Sequence, residues 1–176
     1  MPKSIRKMTA TAICVSLMCI AAFISLPLGH ISLSLQLFGV YFALYFLGPL
    51  YGSLSVVVYL ALGAIGLPVF SSFGGGISAF AQPSGGFLLG FLVLALVYSL
   101  AIFFLRNIKG GQIIATALSL VALYLCGSVF YSLVYLGGLS TIGASLLATV
   151  LPFILPDIAK IALALLVARR IKLLKN

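Results

Sequence analysis

The chain has 176 residues, of which 64% are hydrophobic and only 6% are charged. About a quarter of the residues in a water-soluble domain are charged, so this composition excludes an ordinary soluble fold and indicates an integral membrane protein. Ten Lys and Arg against one acid, Asp157, give a formal net charge of +9. No basic stripe alternates with exposed aromatics, so we expect the charge to face an anionic membrane surface and not a nucleic acid.

The inventory of reactive side chains is also restrictive. With one acid and one histidine, His30, the chain cannot form a carboxylate dyad, a His-rich metal site or a Ser-His-Asp triad. We therefore predict that it is not an enzyme and that it holds no metal.

Apolar segments predict five clear membrane helices and a sixth, shorter candidate in a single domain covering residues 1–176. The predicted helices are 8–28, 33–47, 50–67, 87–105, 113–136 and 147–168. Crossing a hydrocarbon core takes about 20 helical residues. The apolar stretch of the second segment, Leu35 to Leu47, is shorter than that, so we expect it to be extended at its start or partly buried in protein.

Small residues in the first helix form the pair Ala12-xxx-Ser16, and Gly48-xxx-Gly52 is a second such pair. Pairs of this spacing let another helix approach closely. Packing within the protein is the commoner explanation, and an interface with another membrane subunit is the alternative.

Positive charge fixes the number of crossings. Nine of the ten basic residues lie in three clusters: Lys3, Arg6 and Lys7; Arg106 and Lys109; and Arg169, Arg170, Lys172 and Lys175. The positive-inside rule places all three clusters in the cytoplasm. An even number of crossings must separate successive clusters, so we predict six crossings with both termini cytoplasmic.

The longest predicted outer connection, 71–86, is rich in glycine. The consecutive residues Gly74, Gly75 and Gly76 permit positive φ and close backbone approach, so this loop could fold over a ligand or move as a lid. A flexible connector is the alternative.

The tenth basic residue, Lys160, lies with Asp157 inside the sixth predicted helix. Intramembrane charges face the bundle interior, pair with one another and usually mark a substrate or ion path. The two are three positions apart and share a helix face, so they predict a recognition site, with a purely structural ion pair as the alternative.

Pro152 and Pro156 predict a bend beside the pair. The polar residues expected at the same outer level are Ser34, Gln36 and Ser84.

Five ordered motifs resemble the BioY family, the biotin-binding membrane subunits (S components) of energy-coupling-factor (ECF) transporters. The motifs are Ile31-Ser-Leu-Ser-Leu-Gln36, Leu47-Gly-Pro-Leu-Tyr-Gly52, Tyr59-Leu-Ala-Leu-Gly-Ala-Ile-Gly-Leu-Pro-Val-Phe70, Gln82-Pro-Ser-Gly-Gly-Phe87 and Asp157-Ile-Ala-Lys160. The resemblance implies an all-α, six-helix S-component bundle in a bacterial inner membrane. It also implies capture of extracytoplasmic biotin, which is a transported ligand and not a cofactor.

The resemblance assigns roles to particular residues. Asp157 and Lys160 would contact the biotin head group or hold its site together, with the Gly-rich loop closing over the ligand. Ala12 and Ser16 would dock onto a transmembrane coupling subunit driven by two ATPase subunits, with self-association as a further possibility. The predicted substrate-binding set is Ser34, Gln36, Gly74, Gly75, Ser84, Phe87, Asp157 and Lys160.

Two departures from the family pattern remove hydrogen-bonding groups, since Gly74 stands where relatives have Asn and Phe87 where they have Tyr. A divergent biotin carrier is therefore the first interpretation. A carrier for another vitamin or small carboxylic acid is the second, and a structural membrane subunit is a further alternative.

Overall fold

The computed structural model describes residues 3–28 and 31–173. In these residues it contains seven α-helices and a two-stranded antiparallel sheet. The helices are α1 (Lys3–Phe23), α2 (Gln36–Leu47), α3 (Pro49–Ala64), α4 (Gly85–Leu105), α5 (Gly111–Tyr135), α6 (Ile142–Thr149) and α7 (Ile154–Leu173), and the strands are β1 (Ser25–Leu28) and β2 (Ile31–Ser34). Short 3-10 turns lie at Ser71–Phe73, Ile77–Ala81 and Leu139–Thr141.

The helices account for the six predicted segments in order. Helices α1, α4 and α5 are each long and apolar enough to cross a membrane, and α6 and α7 together form a fourth candidate, bent by 62°. Helices α2 and α3 are apolar but shorter. The last predicted span is thus a broken one.

The first predicted helix, 8–28, is wrong at its end, because α1 stops at Phe23 and residues 25–28 form a strand. Pro27 explains the change, since proline lacks the N–H that a helix interior needs and disfavours helical geometry in the residue before it. Strand β1 pairs with β2 in a register that sets Ser25 opposite Ser34. The second helix accordingly begins at Gln36 and not at residue 33. Gly29 and His30, which join the strands, lie outside the described residues.

Helix α2 forms the centre of the bundle and packs against α1, α3 and α7. Its residues from Gln36 to Tyr45 are buried except for Phe38, which is partly buried. A helix that is apolar on all sides is expected in a protein interior. Burial among other helices therefore explains how a segment too short to cross the hydrocarbon core alone can still be helical. The link to α3 is a single residue, Gly48, with φ 84° and Pro49 beginning the next helix. Beyond it, a Cβ on Gly52 would lie 2.6 Å from the Cα of Leu44, so glycine is needed for the two helices to approach.

The last predicted helix, 147–168, is interrupted by a turn at residues 150–153. Pro152 lies in this turn, outside both helices, so its missing N–H removes no helical hydrogen bond. Pro156 lies in the first turn of α7, where backbone N–H groups have no partner within the helix anyway. The bend that the two prolines predicted is present, and it separates α6 from α7 completely.

Side-chain contacts bring the start of α1 and the end of α7, which carry the first and last basic clusters, to one end of the bundle. The Lys7 ammonium lies 4.8 Å from the ring centroid of Tyr51, which joins the start of α1 to the start of α3. A groove lined by Arg6, Phe46 and Ile171 brings together the start of α1, the end of α2 and the end of α7. This gathering supports the predicted cytoplasmic placement of both termini, which remains a prediction.

A buried ion pair in a candidate ligand cavity

A cavity of about 70 Å³ lies at the opposite end of the bundle from the basic clusters. It is bounded by β2, by the loop after α3, by α2, α4 and α5, and by α6 and α7 on either side of their break. Its lining combines hydroxyl, amide and charged groups with leucine and phenylalanine side chains. The lining residues are Ser32, Ser34, Gln36, Leu37, Ser71, Ser84, Phe87, Leu88, Phe91, Leu123, Tyr124, Thr149, Phe153, Asp157 and Lys160.

The charged pair lies on the cavity-facing side of α7. Lys160 Nζ donates to Asp157 Oδ1 at 2.8 Å, and both side chains are 9% exposed. The second carboxylate oxygen, Oδ2, accepts a hydrogen bond of 2.8 Å from the Tyr124 hydroxyl. Both carboxylate oxygens therefore have a donor, which stabilises a charge that an apolar environment would otherwise disfavour. The pair is electrically neutral as a unit.

A second polar network runs from the cavity to the loop above it. The Ser34 hydroxyl donates to Gln36 Oε1 at 2.8 Å, and Gln36 Nε2 donates to the Tyr59 hydroxyl. Tyr59 in turn donates to the Val69 carbonyl at 2.9 Å. Strand β2, the start of α2 and the loop after α3 are thus held together by one chain of hydrogen bonds that includes a cavity-lining amide.

The outer rim of the cavity is formed by serines and by a stacked pair of aromatic rings. The Ser32 and Ser72 hydroxyls are 3.5 Å apart, between the β hairpin and the loop after α3. Next to this contact, the rings of Phe23 and Phe73 stack at a centroid distance of 4.7 Å. Ser72 and Phe73 adopt positive φ values of 57° and 58°, which are uncommon for residues other than glycine. The loop is therefore held over the hairpin in a strained conformation.

Comparison with known proteins identifies the family. The chain matches the family model described as the BioY family over residues 1–176. The chain belongs to the BioY family. One relative, the probable biotin transporter BioY of Pyrococcus horikoshii, is 33% identical over 95% of this chain and 96% of its own length. The biotin transporter BioY of Thermotoga maritima is 33% identical over 97% of this chain and 98% of its own length.

Solved structures agree with this membership. The crystal structure of the S component for biotin from an ECF-type ABC transporter superposes with a TM-score of 0.81 at 28% identity, covering 97% of this chain and 92% of that one. The S component of a bacterial ECF transporter, at 15% identity and a TM-score of 0.65, shares the fold over 99% and 100% of the two chains. The predicted S-component bundle is confirmed, and the protein is an integral membrane protein.

Within the BioY-family fold, six of the eight predicted site residues line the same cavity. They are Ser34, Gln36, Ser84, Phe87, Asp157 and Lys160. Gly74 and Gly75 are not in the lining. A Cβ on Gly75 would lie 2.4 Å from the Leu67 carbonyl oxygen, so this glycine allows the loop to fold tightly on itself. The same loop contributes Ser71 to the cavity instead.

The two residues predicted to dock a partner lie on an exposed face of α1. Ala12 and Ser16 are both exposed, and the Ser16 hydroxyl bonds within its own helix to the Ala12 carbonyl at 3.1 Å. Neither residue lines the cavity. Their role in docking stays a prediction.

Tyr124 and Tyr59, which complete the two polar networks, were not among the predicted site residues. A tyrosine inside an apolar span is itself a signal, because its hydroxyl needs a partner once it is buried. Tyr124 precedes Asp157 by 33 residues. No local spacing could therefore connect the two.

Proposed function

We propose that this protein is the biotin-binding S component of an ECF-type transporter, which captures biotin at the outer face of the membrane. Membership of the BioY family supports the assignment. The observation that carries it is the buried, neutral Asp157–Lys160 pair in a cavity at the end away from the basic clusters. A polar ligand without net charge in its head group fits such a pair.

The chemistry of biotin complements the cavity. Its cyclic urea has two N–H donors and one carbonyl acceptor and carries no charge. The Asp157 carboxylate can accept from the urea N–H groups, and the Lys160 ammonium can donate to the urea carbonyl. A carboxylate placed at the pair would instead leave a net negative charge in a poorly solvated site.

The carboxylate end of biotin then belongs at the outer rim. The hydroxyls of Ser32, Ser71 and Ser84 line that part of the cavity and supply donors near water. Between the two ends, the Phe87, Phe91 and Phe153 side chains cover the apolar ring system. Phe87 supplies this contact with its ring alone.

Binding requires the outer loops to move. The cavity of about 70 Å³ is far below the roughly 300–1,000 Å³ of typical small-molecule pockets. The strained segment at Ser72 and Phe73 closes over the hairpin through few side-chain contacts. We propose that the loop containing Gly74 and Gly75 opens here to admit the ligand and closes after it.

Equilibrium binding to the purified, folded protein tests the assignment. We expect saturable binding of radiolabelled biotin, competed by desthiobiotin, which keeps the cyclic urea. Pantothenate and lipoate, two acids without a urea, serve as matched competitors and should not displace it. Displacement by either acid would favour a carrier for another vitamin or small acid. No saturable binding of any of these by a folded protein would favour a structural subunit.

Transport is proposed to depend on a transmembrane coupling subunit and ATPase subunits, which dock on the small-residue face of α1. Leucine at both Ala12 and Ser16 would keep this face apolar but add bulk where a partner helix approaches. We expect the double variant to lose biotin uptake in cells while the purified protein keeps wild-type biotin affinity. Leucine at Ala144 and Ala148, an exposed pair of small residues with the same spacing on α6, is the control. Unchanged uptake in the double variant would contradict docking at this face.

A further inference from the structure

A groove of about 280 Å³ runs between α5 and α7, in the half of the bundle nearer the basic clusters. Its walls are apolar, with Ile113, Ala117 and Leu120 on α5 and Ile158, Ala162 and Leu165 on α7. Among the described residues, the backbones of these two helices scarcely approach each other. The groove is therefore open along its length.

The groove is closed at its upper end by a side-chain bridge. Tyr124 on α5 donates to Asp157 on α7, one turn beyond Leu120 and next to Ile158. This bridge separates the groove from the ligand cavity. The Tyr45 and Thr116 hydroxyls, which also line the groove, bond to each other at 2.8 Å. Their bonding potential is satisfied by protein, so the groove does not require a polar occupant.

Two cations lie at its lower end. Ile158, Ala162 and Leu165 follow helical spacing, and Arg169 continues the same stripe one turn later. Arg169 is exposed, and its position on this stripe puts it near the mouth of the groove. Lys109 lies in the turn before α5, three residues ahead of the groove-lining Gln112.

We propose that this groove is a binding site for an anionic phospholipid of the cytoplasmic leaflet. One acyl chain lies between α5 and α7, and the phosphate is bound by Arg169 and Lys109. The distance from Gln112 to Leu120 along α5 is about 12 Å at 1.5 Å per residue. That is close to the depth of one leaflet, about half of a 30 Å hydrocarbon core.

Polarity and charge favour a lipid over a protein partner. The groove walls are apolar and its Tyr45 and Thr116 hydroxyls already bond each other, so a hydrocarbon chain can occupy it without leaving a polar group unpaired. The cations match the negative charge of cytoplasmic-leaflet lipids. This inference does not depend on which vitamin the outer cavity binds.

Native mass spectrometry of the purified protein with added phosphatidylglycerol or phosphatidylcholine tests the charge requirement. We expect wild type to prefer phosphatidylglycerol. An Arg169→Gln/Lys109→Gln variant should reduce that preference by up to roughly 30-fold, from two cations of about 1 kcal/mol each. The matched variant Arg106→Gln/Arg170→Gln removes two cations at the same end of the bundle that lie off the stripe. It should retain the wild-type preference for phosphatidylglycerol. Equal losses in both variants would overturn the site.

A second pair of variants tests the groove itself. Ala162→Phe fills the groove, whereas Leu163→Phe places the same ring on the neighbouring exposed face. We expect bound lipid to fall only with Ala162→Phe. Unchanged phosphatidylglycerol binding in Ala162→Phe would overturn the proposal. So would a dimer in wild type that Ala162→Phe dissociates, since the occupant would then be a second copy of the chain.

Discussion

Exchanging the two buried charges, in an Asp157→Lys/Lys160→Asp variant, is expected to abolish measurable biotin binding in a protein that still folds. The exchanged pair remains neutral and three positions apart, so the helix keeps an internal ion pair. The Tyr124 hydroxyl, however, would face an ammonium in place of a carboxylate, and the acceptor for the urea N–H groups would move by nearly one turn. Because hydrogen bonds to charged groups contribute about 1.5–3 kcal/mol each, losing two of them lowers affinity by at least 100-fold.

Thermal unfolding in detergent and radiolabelled biotin binding, measured on the same samples, separate the two roles of the pair. Asp157→Asn serves as the comparison, because it leaves the Lys160 ammonium without its partner in the interior. Losing a buried partner of this kind destabilises a protein by about 3–5 kcal/mol. We expect Asp157→Asn to lower both stability and binding. Wild-type biotin affinity in the exchanged variant would show that the pair only packs the last helix.

The order of apolar segments and basic clusters predicted most of the fold. Hydropathy and charge parity together identified Leu35 to Leu47 as a helix, although it is too short to cross alone. Helix α2 is stable despite its length because it is buried among α1, α3 and α7. Its uniformly apolar sequence predicted this burial. The hairpin could not be found this way. The pairing of Ser25 with Ser34 depends on tertiary contacts and not on any periodicity in so short a segment.

The predicted residues that line the cavity include those for which physical necessity was strongest. Charges inside a span must pair and face inward, so Asp157 and Lys160 could be located from sequence with little ambiguity. Gly74 and Gly75 do not line the cavity, and their role stays a prediction, because glycine indicates a permissive backbone without specifying which atoms approach it. Their loop reaches the cavity through Ser71. Tyr124 was missed since its bond to Asp157 joins two helices that are distant in sequence.

Removing the Tyr124 hydroxyl tests whether this residue contributes to biotin binding. We expect Tyr124→Phe to weaken biotin binding by about 10- to 100-fold, the range for one hydrogen bond to a charged group. The phenyl ring keeps the packing, but Asp157 Oδ2 loses the donor that fixes the carboxylate toward the cavity. Tyr45→Phe is the matched control, because it removes a buried hydroxyl bonded to Thr116 away from the cavity.

A structural role for Tyr124 would weaken every ligand alike, so selectivity is the deciding measurement. Orientation of the Asp157 carboxylate matters only for ligands that donate to it. We therefore expect Tyr124→Phe to reduce the preference for biotin over an analogue methylated at both urea nitrogens, which has no N–H to donate. An equal loss of affinity for both ligands, or an equal effect in Tyr45→Phe, would contradict a positioning role. The Tyr124–Asp157 bond would then serve only to hold α5 against α7.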